Sequence, residues 1–176
     1  PAIRSEVQIL KMQVWVTNRI GTTTETRDVV GLADLGEQVP FLQPPLINVL
    51  SSQPTPANNN NDLLIKIKNQ PDFRNPSLVF NNLINLGLKP VQDFEKTFAR
   101  KLDSTQYVFN RQVGNLSINQ PLQTDEVLGV AYQYSYRGRI YQVGEFSEDV
   151  PPDTSTATQR TLFLKLLKAT SQRPQL

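Results

Sequence analysis

Between Val7 and Thr17 the side-chain character alternates residue by residue. Leu10, Met12, Val14 and Val16 share one parity; Lys11, Gln13, Trp15 and Thr17 share the other. Successive side chains of an extended chain point to opposite faces, so this is the pattern of a half-buried strand and not of a helix. The first set is expected on a core, which leaves Trp15 as the one large apolar residue on the outer face. The same period returns over Val127–Tyr136, where Leu128, Val130, Tyr132, Tyr134 and Tyr136 share a face. Arg137-Gly138 then turns the chain into residues 139–146, the strongest hairpin signal in the sequence.

Other segments follow the same grammar. A polar run containing Gly21 leads to a second strand over 27–35, ended by Gly36. A strand is expected over 94–102. Tyr107–Phe109 and Leu116–Ile118 flank a loop in which Gly114 is free to take a positive φ. Residues 61–86 read differently. Asn61 or Asp62 is placed to cap one helix bearing Leu63, Leu64 and Ile67, which Pro71 ends. Asn75 and Pro76 open another, with Val79, Phe80, Leu83, Ile84 and Leu86 as its apolar stripe and Gly87 as its C-terminal stop. A cap contributes about 1 kcal/mol, too little to hold so short a helix, so the stripe must pack on something.

Residues 38–61 read as a linker or long loop. Pro40, Pro44, Pro45, Pro54 and Pro56 deny the backbone donors that a ladder needs, and Asn58–Asn61 is a low-complexity tract. Residues 147–159 read as a second linker, acidic and rich in Pro, Ser and Thr. Leu162–Leu167 is apolar and compatible with a helix or a strand. The expected organisation is one α+β domain over 1–150, with the Pro/Asn-rich loop at 38–61. Residues 151–176 form a linker and C-terminal apolar segment. The fold class is a mostly antiparallel β-sheet or small sandwich with two short helices packed on one side.

The chain has no cysteine and no histidine. That removes disulfides, thiolate chemistry, the commonest general base and the commonest metal ligand. No Gly-x-Ser-x-Gly, Ser-x-x-Lys or phosphate-binding glycine loop is present, so the chain is expected not to be an enzyme and to hold no cofactor. Glu145, Glu148, Asp149 and Asp153 cluster in sequence but lack the alternating oxygens and central glycine of a calcium loop, so no metal is expected. A net charge of +2 over 176 residues is not the dense positive patch that nucleic acid requires. The chain opens on Pro1, as an excised or processed segment does, and shows no signal-peptide pattern. No apolar run approaches the roughly 20 residues of a membrane helix, so the segment itself is expected not to span a membrane.

Four of the five tyrosines fall within ten residues: Tyr132, Tyr134, Tyr136 and Tyr141. With Trp15 they are the candidate interaction surface, since tyrosine joins apolar area to a polar tip. The other reading is an ordinary sheet face covered by the helices, because cross-strand aromatic pairs are routine sheet stabilisers.

Several stretches, in order, resemble the SprA (Sov) family. They are Val14-Trp15-Val16-Thr17-Asn18-Arg19 with Gly21-Thr22-Thr23, the run from Arg27 to Glu37, and the run from Leu116 to Leu122. The run from Asp125 to Tyr134, Tyr141-Gln142-Val143-Gly144-Glu145-Phe146 and the run from Leu162 to Lys168 complete the set. Residues 38–61 carry none of the resemblance. It implies a parent that is a very large outer-membrane β-barrel of Bacteroidetes-type bacteria, exporting folded cargo in type IX secretion and gliding motility. This segment would be a soluble, outer-membrane-associated portion whose partners are other type IX components or secreted cargo. The alternative drawn from the residues themselves is a cell-surface adhesion or carbohydrate-binding module built on Trp15 and the tyrosines. A carboxylate-based hydrolase would need two acids facing one cleft.

Overall fold

The computed structural model describes residues 6–19, 21, 25–111, 114–152 and 159–170. The chain is α+β, with mostly antiparallel strands and short helices. Among the described residues eight strands form: β1 Val7–Thr17, β2 Thr26–Leu32, β3 Phe94–Lys101, β4 Tyr107–Asn110, β5 Asn115–Ile118, β6 Leu128–Tyr136, β7 Arg139–Val143 and β8 Leu162–Lys168. Five of them join in a ring, β1–β3–β2–β8–β6, and β6 returns to β1. The mostly antiparallel sheet or small sandwich expected from the sequence is thereby sharpened to a closed barrel. Every contact in the ring is antiparallel except β2–β8, which is parallel.

Closure explains why both faces of β1 are apolar. Trp15 lies in a cluster with Val29, Ala99, Ala131, Leu162 and Leu164, the residues of the parity that faces into the ring. Its neighbours Val14 and Val16 point outward against Leu102, Leu128 and Val130. The expectation that Trp15 stands on an outer face is therefore corrected: it is fully buried, because the sheet curls around the side the alternation leaves over. Two interior positions must be glycine-sized for this. A Cβ on Gly31 would sit 2.9 Å from Leu166 Cδ1, and one on Gly129 would sit 3.2 Å from Leu164 Cδ1. Small residues beside large ones are how a narrow barrel is filled.

The outer wall is covered on two sides. One side carries α1 Leu63–Lys68, α2 Pro71–Arg74 and α3 Val79–Leu86, packed through Leu63, Leu64, Ile67, Val79 and Leu83 onto Val30, Leu32, Phe94 and Phe163. Three helical pieces stand where two were expected. Pro71 occupies the first turn of α2, where its missing N–H costs nothing, so it opens a helix instead of only ending one. Asn75 Oδ1 accepts the Ser77 N–H at 2.9 Å, and Gly87 closes α3 at φ 114° as the sequence predicts. The other side carries the β4–β5 hairpin, whose Tyr107, Leu116 and Ile118 lie over Val14 and Val16.

Of the two readings of the Pro/Asn tract, linker or long loop, the structure shows a loop packed on the fold. Asn60 and Asn61 are buried and hold the chain with their amides. Asn61 Nδ2 donates to the Asp34 and Glu37 carbonyls, both at 2.9 Å, and Asn60 Nδ2 donates to the Gly36 carbonyl at 3.1 Å. The Asp34 carboxylate accepts the Phe41 and Leu42 N–H groups. Side chains supply the partners that prolines deny to a ladder. The boundary at 150 also falls inside the fold, since β8 sits between β2 and β6 with Leu162, Phe163 and Leu164 fully buried. Burying such side chains contributes roughly 1.5–3 kcal/mol each, so β8 is integral to the core. Part of the expected second linker, 153–158, lies outside the described residues.

Candidate functional site

One edge of β6 is paired with β1 along its whole length, from Val16↔Leu128 to Val7↔Tyr136. Its other edge is divided. Leu128–Val130 pair with β8, and Tyr132–Tyr136 pair with β7. The β1–β6–β7 portion thus runs past the ring as a three-stranded arm. Because paired residues share a face, one side of the arm gathers Ile9, Met12, Tyr132, Tyr134, Tyr136, Tyr141 and Val143. The Tyr132 and Tyr134 rings are 5.9 Å apart, and the Tyr134 and Tyr141 rings 5.5 Å apart.

These tyrosines do not play equal parts. Tyr134 is buried, and its hydroxyl donates to the Pro56 carbonyl. Burial pushes its hydroxyl up from the ordinary value. Tyr134 is the anchor by which the 38–61 segment closes on the arm. Tyr132, Tyr136 and Tyr141 are half-buried, and Tyr132 also packs against the Val14–Val16 cluster. Burial, with smaller contributions from Tyr134 and Glu37, pushes the Tyr132 hydroxyl up to about 12, so it remains a neutral donor at physiological pH. The Arg137 guanidinium sits 5.1 Å from the Tyr136 ring centroid and meets Glu6 at 3.1 Å. Of the five residues expected to form a surface, Tyr132, Tyr136 and Tyr141 come together on one. Tyr134 and Trp15 are removed from it by burial. The Trp15 Nε1–H has no partner among the described residues.

The arm is held at the end of β7 by Asn58. The Asn58 N–H donates to the Gln142 carbonyl at 2.8 Å, Asn58 Nδ2 donates to the Gly144 carbonyl, and Asn58 Oδ1 accepts the Gly144 N–H at 2.7 Å. Gly144 has φ 78°, and a Cβ there would meet the Val130 carbonyl oxygen at 2.9 Å. Only glycine permits this reciprocal bond at such close approach.

Of the four clustered acids, Asp153 lies outside the described residues, and the other three have partners within the fold. Glu148 binds Lys11 Nζ at 2.7 Å, and Asp149 accepts from Gln142 and from the Phe146 N–H. Glu145 forms a bidentate pair with Arg74, both contacts at 2.7 Å, and both side chains are buried. Arg74 also donates to the Lys68 and Thr161 carbonyls, and Glu145 accepts the Phe163 N–H at 3.0 Å. This network fastens α2 to the start of β8. Sequence reasoning missed it, and no local signal could have found partners 71 residues apart. Nearby, Arg27 donates to the carbonyls of Ser147, Val150 and Arg160 across one mouth of the barrel. Burial lowers its guanidinium from the ordinary value, while Glu25 and Glu145 act in the opposite sense. Among the described residues no group of carboxylates is arranged to hold a metal ion, and no helix is long and apolar enough to cross a membrane. Compared with known proteins, the chain matches no family model and no curated protein.

Proposed function

We propose that this chain is a non-catalytic docking domain of an outer-membrane translocon of the type IX secretion system, serving protein secretion and gliding motility. Its docking surface is the tyrosine face of the β1–β6–β7 arm. The observation that carries the docking reading is the half-buried Tyr132–Tyr136–Tyr141 face on a three-stranded arm, with Asn58 bonded to the backbone at the end of β7. Rigid aromatic side chains lose little entropy on contact and are the usual anchors of protein interfaces. The ordered resemblance to the SprA family supplies the translocon, the outer-membrane association and the partners: type IX components or secreted cargo.

The Asn58 side chain is spent on the Gly144 backbone and is not free to meet a sugar. The test is capture from a detergent-solubilised outer-membrane extract of a gliding Bacteroidetes bacterium, with the domain immobilised. Type IX components or cargo are expected, and Tyr132→Ala/Tyr141→Ala is expected to lose them while still folding. Saturable binding on a glycan array, lost in the same variant, would establish the adhesion reading instead.

A further inference from the structure

On the wall away from the helices, two adjoining cavities of about 270 and 160 Å³ meet at Arg100, Leu102, Ile118 and Gln120. They form one groove between the barrel wall and the segment running from β5 to β6. Pro121 and Leu122 complete its apolar lining. The wall of this groove is built, not loose. Lys168 Nζ donates to the Gln123, Thr124 and Glu126 carbonyls at 3.0, 3.2 and 2.7 Å. Thr17 Oγ1 accepts the Val127 N–H at 2.9 Å, and the Thr17 N–H returns to the Val127 carbonyl at 3.1 Å.

Three charged residues line the wider cavity: Arg19, Arg100 and Glu126. Arg19 pairs with Asp125 and, at 3.5 Å, with Glu126. Arg100 is left over. Its guanidinium has no hydrogen-bond or ion-pair partner among the described residues, although the side chain is half-buried. A planar guanidinium beside apolar walls is complementary to a carboxylate carried next to an apolar side chain. Each cavity by itself is smaller than the roughly 300–1,000 Å³ of small-molecule pockets, and the two in a row fit a side chain or two of an extended segment.

We propose that this groove docks a partner-protein segment in which a carboxylate stands beside a leucine-like side chain, the carboxylate meeting Arg100 and the apolar group lying on Leu102, Ile118 and Leu122. The site is separate from the tyrosine face and stands whether or not that face binds a translocon partner. The test uses the isotopically labelled full chain with two peptides, Ac-Leu-Glu-Leu-NH2 and Ac-Leu-Gln-Leu-NH2, followed by amide chemical shifts. Shifts are expected at Leu102, Ile118 and Leu122, with the glutamate peptide bound about tenfold more tightly, as a charge-assisted contact allows. Arg100→Gln is expected to abolish that difference, and Tyr141→Ala to leave it intact. Equal binding of the two peptides, no shifts into the millimolar range, or the same response to sodium acetate alone would each overturn the proposal. If Arg100→Gln perturbs folding, Arg100→Lys, which keeps the charge but not the fork, is expected to bind with intermediate affinity.

Discussion

Glu145→Gln is the sharpest perturbation of the barrel's construction. The substitution keeps the side chain's shape and removes its charge. In the native pair both groups are about nine-tenths buried, with side-chain exposures of 8% and 9%, and two parallel contacts of 2.7 Å. Arg74 is held in place by the Lys68 and Thr161 carbonyls and the Phe163 ring. The variant therefore buries an uncompensated cation, which typically costs about 3–5 kcal/mol. Against a total stability of about 5–15 kcal/mol, that is a large share. For a chain of this size it corresponds to roughly 6–20 °C in Tm. Urea unfolding followed by circular dichroism, together with a thermal scan, measures both. Lys11→Met is the control, since the Lys11–Glu148 pair has exposures of 43% and 59% and pairs of that kind are worth about 0–1 kcal/mol. If Glu145→Gln costs no more than Lys11→Met, the pair does not clamp β8 in a dry environment and the reasoning fails.

Three further predictions test other parts of the account. The Glu148 carboxyl is held down to about 2, chiefly by its bond from Lys11. A depressed carboxyl stabilises the fold above its unfolded value near 4.5 and loses that contribution as pH falls toward 2. The gap in urea midpoint between the native chain and Glu148→Gln should accordingly be constant above about pH 5 and vanish near pH 2. Gly31→Val drives a side chain into Leu166 and is expected to cost about 1–3 kcal/mol, whereas Gly21→Ala, with nothing within 4 Å, should be neutral in the same melts. Asn61→Ala leaves the Glu37 carbonyl and the Leu63 N–H without their Asn61 partners, and the Asp34 carbonyl with the Glu37 N–H alone, an expected loss of about 2 kcal/mol or more, read from denaturant midpoints.

Much of the secondary structure was legible because it rests on local chemistry. The period of two marks β1 and β6. Arg137-Gly138, with φ of 49° and 76°, makes the tight turn into β7. Gly87 ends α3. What was not legible depends on partners distant in sequence. The alternation of β1 says which residues share a face, but not that the sheet curls so that the second face is also interior, so Trp15 was read as outward. The parallel β2–β8 seam joins residues more than 130 positions apart and has no turn to announce it. Asn58–Asn61 looks like solvated low-complexity chain, because nothing local reveals that the Asp34, Gly36 and Glu37 carbonyls await those amides. For the candidate surface, the period of two puts Tyr132, Tyr134 and Tyr136 on one face, and the β6–β7 pairing adds Tyr141 to it. Tyr134 is buried by the Pro56 segment, itself read as a linker or long loop.

The central claim is that the tyrosine face is where a partner meets this domain, and site-specific photo-cross-linking addresses it most directly. A photoreactive phenylalanine analogue is placed at Tyr141, and separately at Asn85 on the exposed face of α3, in cells carrying the secretion system. The account predicts a cross-link from position 141 to a type IX component or cargo protein, and none from position 85. Cross-links from position 85 alone, or from neither position while extracted glycans bind the domain, would contradict it.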